Sequence, residues 1–74
     1  MAFDYSKLAG RIVEIFKTRE AFAREMQLSA RSLSHKMNGK VPWKQPEIYK
    51  ACILLGISDL EIKQYFFNLK VQSV

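Results

Sequence analysis

Residues 18–39 read TREAFAREMQLSARSLSHKMNG, and this stretch decides the fold. Its apolar residues recur at helical spacing on the faces of two short helices: Phe22, Ala23 and Met26 on the first, Leu33 and Met37 on the second. Leu28 lies in the tight connection between them. The small side chain of Ala23 lets the two helices cross closely. The spacing therefore predicts a helix-turn-helix over residues 18–39.

Capping residues stand at the ends of both predicted helices. Thr18 and Ser29 precede the first turns, where a side-chain oxygen can accept a hydrogen bond from a free backbone N–H group. Asn38 and Gly39 close the second helix, since glycine adopts the left-handed conformation at little steric cost. The caps and the apolar spacing agree on the same two helices, and together they make the pattern specific.

A first helix is predicted to start after Asp4, which caps it, and to run to about Lys17. Its apolar stripe follows the i, i+4, i+7, i+8 spacing of one buried face: Leu8, Ile12, Ile15 and Phe16. Gly10 interrupts this helix at a cost of about 1 kcal/mol relative to alanine. The glycine either permits close packing against another helix or is a tolerated exposed residue.

A fourth helix is predicted to follow the loop Lys40–Lys44. It opens at Gln45, with Pro46 in the first turn where a missing N–H costs nothing, and it ends at Gly56. Its buried stripe is set by helical spacing: Ile48, Ala51, Cys52 and Leu55.

A capping box at residues 58–61, SDLE, starts a fifth helix over residues 59–68. This helix is expected to bury three apolar side chains: Ile62, either Tyr65 or Phe66, and Leu69. Alternating β patterning is absent from the sequence. We therefore predict one compact all-α domain of five helices over residues 1–74.

Composition indicates a small folded protein of the cytoplasm. Hydrophobic residues make up 49% of the 74, which is enough for a core near the lower size limit for a chain without disulfides. The single cysteine, Cys52, cannot form an internal disulfide and fits a small buried residue. No apolar stretch approaches the roughly 20 residues of a membrane span, and the N-terminal MAFDYSK lacks the pattern of a signal peptide. We expect no membrane association.

The formal net charge of +5 is unevenly placed. No acidic residue lies between Glu25 and Glu47. The gap contains four cations and the one histidine: Arg31, His35, Lys36, Lys40 and Lys44. A basic stretch that overlaps the second helix of a helix-turn-helix favours contact with the phosphates of duplex DNA. The alternative is an ordinary solvated lysine face.

Three segments carry a resemblance to known phage proteins: FDYSKLAGRIVEIF (3–16), SLSHKMNGKVPW (32–43) and EIYKACILLGIS (47–58). With the helix-turn-helix pattern, they resemble the lambda-repressor-like domain of the phage Cro and repressor family. More narrowly, they are similar to small temperate-phage regulators, a group of Cro-like proteins that includes modulators of repression. The resemblance covers nearly the whole chain and implies a five-helix fold working in a bacterial host cell.

In the family that the sequence resembles, the start of the third helix enters the major groove. The resemblance places four residues toward base edges: Ala30, Arg31, Ser34 and His35. It places five at the sugar–phosphate backbone, and the basic stretch adds a sixth: Thr18, Arg19, Asn38, Lys40 and Lys44, then Lys36. Arg31 is the best candidate for base readout, since a guanidinium can donate two parallel hydrogen bonds to guanine. Many family members carry amide side chains at these positions, so this chain would read a different site or read less stringently.

The end of the chain holds more apolar groups than one small core absorbs. The three successive aromatic residues at 65–67 cannot all face the same core, because a helix turns about 100° per residue. We expect a weak homodimer, or contact with a partner, through four residues: Tyr65, Phe67, Leu69 and Val71. The alternative is that they complete the monomer core. Trp43 is expected to plug the local core rather than stack on a partner.

Two functions remain open, and neither is catalytic. The one histidine lies on the exposed third helix, and no Gly-rich phosphate loop or carboxylate cluster is present, so we expect no enzyme activity, metal or cofactor. The first hypothesis is a Cro-like transcriptional regulator that binds an operator half-site in duplex DNA through the third helix. The alternative is a modulator of repression that binds a partner phage repressor and alters its DNA binding. In that case Arg31, His35, Lys36 and Lys40 are interface residues.

Overall fold

The structure, a computed structural model, describes residues 3–70. Five α-helices follow one another in this range: α1 (Ser6–Phe16), α2 (Arg19–Met26), α3 (Ala30–Met37), α4 (Gln45–Leu55) and α5 (Ile62–Phe66). A 3₁₀ turn, Asp59–Glu61, leads into α5. Over these residues the only β-type pairing is an isolated antiparallel bridge between Phe3 and Leu69. The predicted all-α fold of five helices is confirmed.

Both predicted N-caps at the α2 and α3 helices are confirmed. The Thr18 hydroxyl accepts a hydrogen bond from the Ala21 N–H at 3.2 Å, and the Ser29 hydroxyl accepts one from the Ser32 N–H at 3.0 Å. Gly39 follows α3 with a φ of +76°, the left-handed conformation expected of it. The α2–α3 pair is thus bounded by the residues that the sequence pattern selected.

The first and last helices differ from their predicted bounds. The α1 helix begins at Ser6 with Tyr5 at the N-cap position, so the prediction of Asp4 as the cap is corrected by one residue. The Asp4 carboxylate, just before the cap, accepts from the Ser6 N–H at 2.8 Å, and this hydrogen bond lowers the pKa of Asp4. The last helix ends at Phe66 rather than Asn68. The reason is a backbone hydrogen bond from Asp4 N–H to the Asn68 carbonyl at 2.6 Å. This bond draws the chain out of the helix and pairs the segment after α5 with the segment before α1.

The core is one cluster of buried side chains from every helix: Leu8, Ile12, Phe22, Ala23, Met26, Leu33, Met37, Ala51, Cys52, Leu55, Ile57, Tyr65 and Phe66. The predicted stripes of α2, α3 and α4 lie in it, with Ile48 only partly buried at its edge. The α1 stripe predicts a buried Ile15, but this side chain is 44% exposed. Phe16, the next residue of the predicted stripe, does pack against α2, with its ring edge-on to Phe22 at 5.4 Å between centroids.

Arg11 fastens α1 to the end of α4. Its Nε donates to the Leu55 carbonyl at 2.8 Å, which satisfies one of the free carbonyls at a helix C-terminus. Gly56 then reverses the chain with a φ of +65°. None of the helices within residues 3–70 is long and apolar enough to cross a membrane.

The two glycines at α1 and at the end of α4 predict opposite effects of alanine. A Cβ at Gly10 would meet no atom within 4 Å, so Gly10→Ala is expected to raise the free energy of unfolding by about 0.5–1 kcal/mol. Gly56 has a left-handed backbone conformation, and a Cβ added there would lie 3.4 Å from the Arg11 side chain. Gly56→Ala is therefore expected to lower the free energy of unfolding by about 1 kcal/mol or more. Urea unfolding of both variants measures this. Destabilisation by Gly10→Ala would contradict the exposed position.

Candidate functional site

Four basic residues of α3 and the following segment form what we call the basic surface: Arg31, His35, Lys40 and Lys44. Arg31, Lys40 and Lys44 are exposed, and His35 is half-buried. The His35 carbonyl accepts hydrogen bonds from the N–H groups of Lys40, at 2.8 Å, and Val41, at 3.3 Å. The segment after α3 is therefore folded back against the end of the helix.

A groove of about 260 Å³ brings His35 and Lys44 together. Its walls come from the α2–α3 turn, α3, the following segment and the start of α4: Leu28, Ser32, His35, Lys36, Val41, Lys44 and Glu47. His35, predicted to face base edges, and Lys44, predicted to contact phosphate, therefore line the same groove. Arg31 does not line this groove.

The remaining predicted contact residues lie around the start of α2. A cleft of about 220 Å³ places Arg19 beside Ala30 and Ser34, with Glu20 in the same wall. The Thr18 hydroxyl is already used as the α2 cap. The Asn38 amide donates to the Ser34 hydroxyl at 3.4 Å. The acidic Glu20 therefore lies beside one predicted phosphate contact, Arg19, and two predicted base contacts, Ala30 and Ser34.

The position of the Lys36 side chain differs most from the predicted phosphate contact. Its side chain is 5% exposed, and its ammonium donates to the Pro42 carbonyl at 3.1 Å and lies 2.9 Å from the Glu47 carboxylate. The assignment of Lys36 to a phosphate contact is therefore corrected, since this ammonium is held inside the fold. A signal for this exists in the sequence: Leu33, Lys36 and Met37 share the i, i+3, i+4 spacing of a buried face.

Glu47 receives a second hydrogen bond, from the Lys44 backbone N–H at 2.8 Å, and so caps α4 as well as pairing with Lys36. Burial by itself would raise the pKa of Glu47. The hydrogen bonds from Lys36 and Lys44, with the charges of both lysines, outweigh burial and lower that pKa. The carboxylate is thus stabilised in its charged form at the junction of α3, the 40–44 segment and α4.

On the other side of the 40–44 segment lies a cavity of about 390 Å³, the aromatic cleft. Its lining is mostly aromatic and aliphatic: Phe3, Tyr5, Asn38, Gly39, Val41, Pro42, Trp43, Ile48, Phe66 and Phe67. Trp43 is half-buried, edge-on to Phe66 at 5.3 Å and tilted against Tyr5 at 6.5 Å. The predicted packing of Trp43 into the local core is confirmed. Within residues 3–70, however, its buried indole N–H finds no acceptor.

The four residues expected to form an association surface separate into three groups. Phe67 and Leu69 are exposed, at 45% and 46%. Tyr65 is buried at 8%, with the Lys7 ammonium 5.0 Å above its ring. Tyr65 is therefore corrected to a core residue, because its position on α5 turns the ring inward. Val71 lies outside the described residues.

Two further features of the described residues concern possible metal ligands and the thiol of Cys52. No group of three or more His, Cys, Asp or Glu side chains within residues 3–70 could hold a metal ion. The Cys52 thiol is buried among core residues, and burial, with a smaller effect of the Asp59 carboxylate, raises its pKa. That thiol stays protonated and unreactive near neutral pH.

Comparison with known proteins places the chain in a family. A family model described as "Protein of unknown function (DUF739)" matches residues 1–69, and the chain belongs to this family. Among solved structures, it is similar to the solution structure of the modulator of repression (MOR) of the temperate bacteriophage TP901-1 from Lactococcus lactis. The two chains are 47% identical, 97% of each is covered, and the TM-score is 0.79. A search of curated proteins found no match.

Proposed function

We propose that this chain is a modulator of repression of a temperate phage or prophage, which binds a phage repressor and alters the repressor's DNA binding. One observation carries the proposal: the 47% identity to the TP901-1 modulator of repression over 97% of both chains. The similarity extends over nearly all of each chain, so it is not confined to one helix or one segment.

The composition of the surface supports a protein partner. Protein interfaces have an apolar centre with aromatic anchors and a polar rim. The aromatic cleft offers such a centre, since Phe3, Val41 and Phe67 remain between 37% and 45% exposed at its edge. Lys40 and Lys44 flank the cleft segment and supply a basic rim, which suits an acidic repressor surface.

Trp43 contributes its ring to the apolar lining of this cleft, edge-on to Phe66. Phosphate contact alone does not require the aromatic side chains of the cleft.

A second candidate function, specific binding to duplex DNA, is favoured by the α2–α3 pair. Its two capped helices and the acid-free stretch are the pattern of a helix-turn-helix, and Arg31 is exposed near the start of α3. In this candidate, Ala30, Arg31, Ser34 and His35 face base edges. With Lys36 paired in the interior, the cationic phosphate contacts are Arg19, Lys40 and Lys44.

We expect the chain to bind the repressor encoded in the same phage genome, with Phe67→Ala weakening the complex by tenfold or more, about 1.4 kcal/mol. Loss of this exposed ring removes apolar area from the edge of the aromatic cleft. Titration calorimetry measures the affinity. Ile53→Ala is the matched control, because Ile53 is an exposed apolar residue, at 64%, that does not line the cleft. Failure of the wild type to bind, or equal losses in both variants, would contradict the proposal.

Gel-shift titrations of operator DNA separate the two candidates. If the chain binds DNA by itself, three cationic contacts give a slope of about −3 for log K against log salt. Arg31→Ala would then weaken specific binding more than random binding, whereas Lys40→Ala would weaken both alike. For a modulator of repression, we expect no shift by the chain alone and a changed shift when repressor is present. A salt-dependent shift without repressor would favour the DNA-binding candidate.

A further inference from the structure

We propose that the ion pair between the buried Lys36 and the half-buried Glu47 is a positioning device, which sets the shape of segment 40–44 for binding the partner. This segment supplies Lys40 and Lys44 to the basic surface and Val41, Pro42 and Trp43 to the aromatic cleft. One backbone path therefore serves both parts of the candidate interface. The inference takes its partner, a phage repressor, from the proposed function.

The Lys36 ammonium holds the middle of the segment. It reaches from the last turn of α3 to the Pro42 carbonyl at 3.1 Å and to the Glu47 carboxylate at 2.9 Å. Pro42 has no N–H of its own, so its carbonyl is the only backbone group through which this residue can be hydrogen-bonded. Among residues 3–70, the Lys36 bond is the hydrogen bond made to that carbonyl.

Both ends of the segment are held separately. At its start, the His35 carbonyl accepts from the N–H groups of Lys40 and Val41. At its end, Glu47 accepts from the Lys44 N–H at 2.8 Å and fixes where α4 begins. Lys36 connects the middle of the segment to the second anchor, because its ammonium contacts both the Pro42 carbonyl and the same Glu47 carboxylate. The pair thus determines how far the segment bulges away from α3.

Stability alone does not explain a lysine at this position. A buried ion pair is costly to desolvate, and well-packed apolar residues in its place are often as stable or more so. The stem of Lys36 already lies on the buried face with Leu33 and Met37, where a methionine would pack without the charge. An apolar residue, however, cannot donate a hydrogen bond to the Pro42 carbonyl. The expected effect of the pair is therefore on the geometry of the segment.

The double variant Lys36→Met/Glu47→Gln tests this without leaving a buried charge unpaired. The Glu47→Gln change retains a side-chain oxygen that can accept from the Lys44 N–H, so the α4 cap survives, whereas the bond to Pro42 is lost. The matched control is Lys63→Met/Glu61→Gln, which changes the same two residue types on α5 and the preceding 3₁₀ turn. Neither control residue lines the aromatic cleft or belongs to the basic surface.

Two measurements are compared with the wild type: amide hydrogen exchange at Lys40 and Val41, and calorimetric affinity for the repressor. In the double variant we expect exchange at these amides to become roughly tenfold faster while α1 keeps its protection. We expect affinity for the repressor to fall roughly tenfold. The control should match the wild type in both measurements, and urea unfolding verifies that both variants fold.

The outcomes distinguish this inference from the proposed function. Unchanged exchange at Lys40 and Val41 overturns the positioning role whatever the partner. Faster exchange with unchanged affinity overturns its part in binding and leaves the modulator proposal intact. If the wild type does not bind the repressor, the modulator proposal fails, while faster exchange confined to the segment still supports the positioning role.

Discussion

Short helices sharing one small core are the constraint on which this structure depends. Isolated helices below about 12–15 residues are marginal in water, and none of the five helices described here exceeds 11 residues. Side-chain caps stabilise α2, α3 and α4, and all five helices pack on the shared cluster around Phe22 and Phe66, which are both fully or nearly fully buried. Aromatic pairs, Phe16 with Phe22 and Trp43 with Phe66, connect the helices across that cluster.

This constraint also explains the position of the candidate interface. The core takes apolar side chains from every helix, and the connection between α3 and α4 passes over its edge rather than through it. Segment 40–44 therefore turns one side toward the aromatic cleft and carries lysines at its ends. An apolar centre and a basic rim therefore come from a single short segment. The Lys36 ammonium, paired with Glu47, is hydrogen-bonded to the middle of that segment at the Pro42 carbonyl.

Much of the fold follows from local chemistry in the sequence. Thr18 and Ser29 cap the helices that the sequence predicts them to cap, and the apolar stripes of α2 to α4 lie in the core. Local patterns report the face of a helix and its ends, and these are the features that sequence reasoning predicts. The exposure of the cations Arg31, Lys40 and Lys44 also follows from the sequence.

The structural features that could not be predicted depend on contacts between residues that are far apart in the sequence. A charge is usually at the surface, which is why Lys36 is predicted there, and only Glu47, eleven positions later, makes its burial tolerable. The aromatic cleft needs Phe3 to meet Phe67, whose rings lie edge-on at 6.0 Å across almost the whole chain length. The same pairing of the ends stops α5 early. Helical periodicity places Lys36 on the buried face of α3, but it carries no information about which distant residue pairs with it, so neither the cleft nor the Lys36–Glu47 pair could be assigned.

The most direct test of the account is a map of the bound surface by NMR. The backbone amide resonances of the ¹⁵N-labelled chain would be followed while the unlabelled phage repressor is added. We expect the largest shifts at the basic surface and around the aromatic cleft, including residues 40–44. Shifts confined to the outer faces of α1 and α4, around Val13, Tyr49 and Ile53, would contradict the account. So would a spectrum that the repressor leaves unchanged.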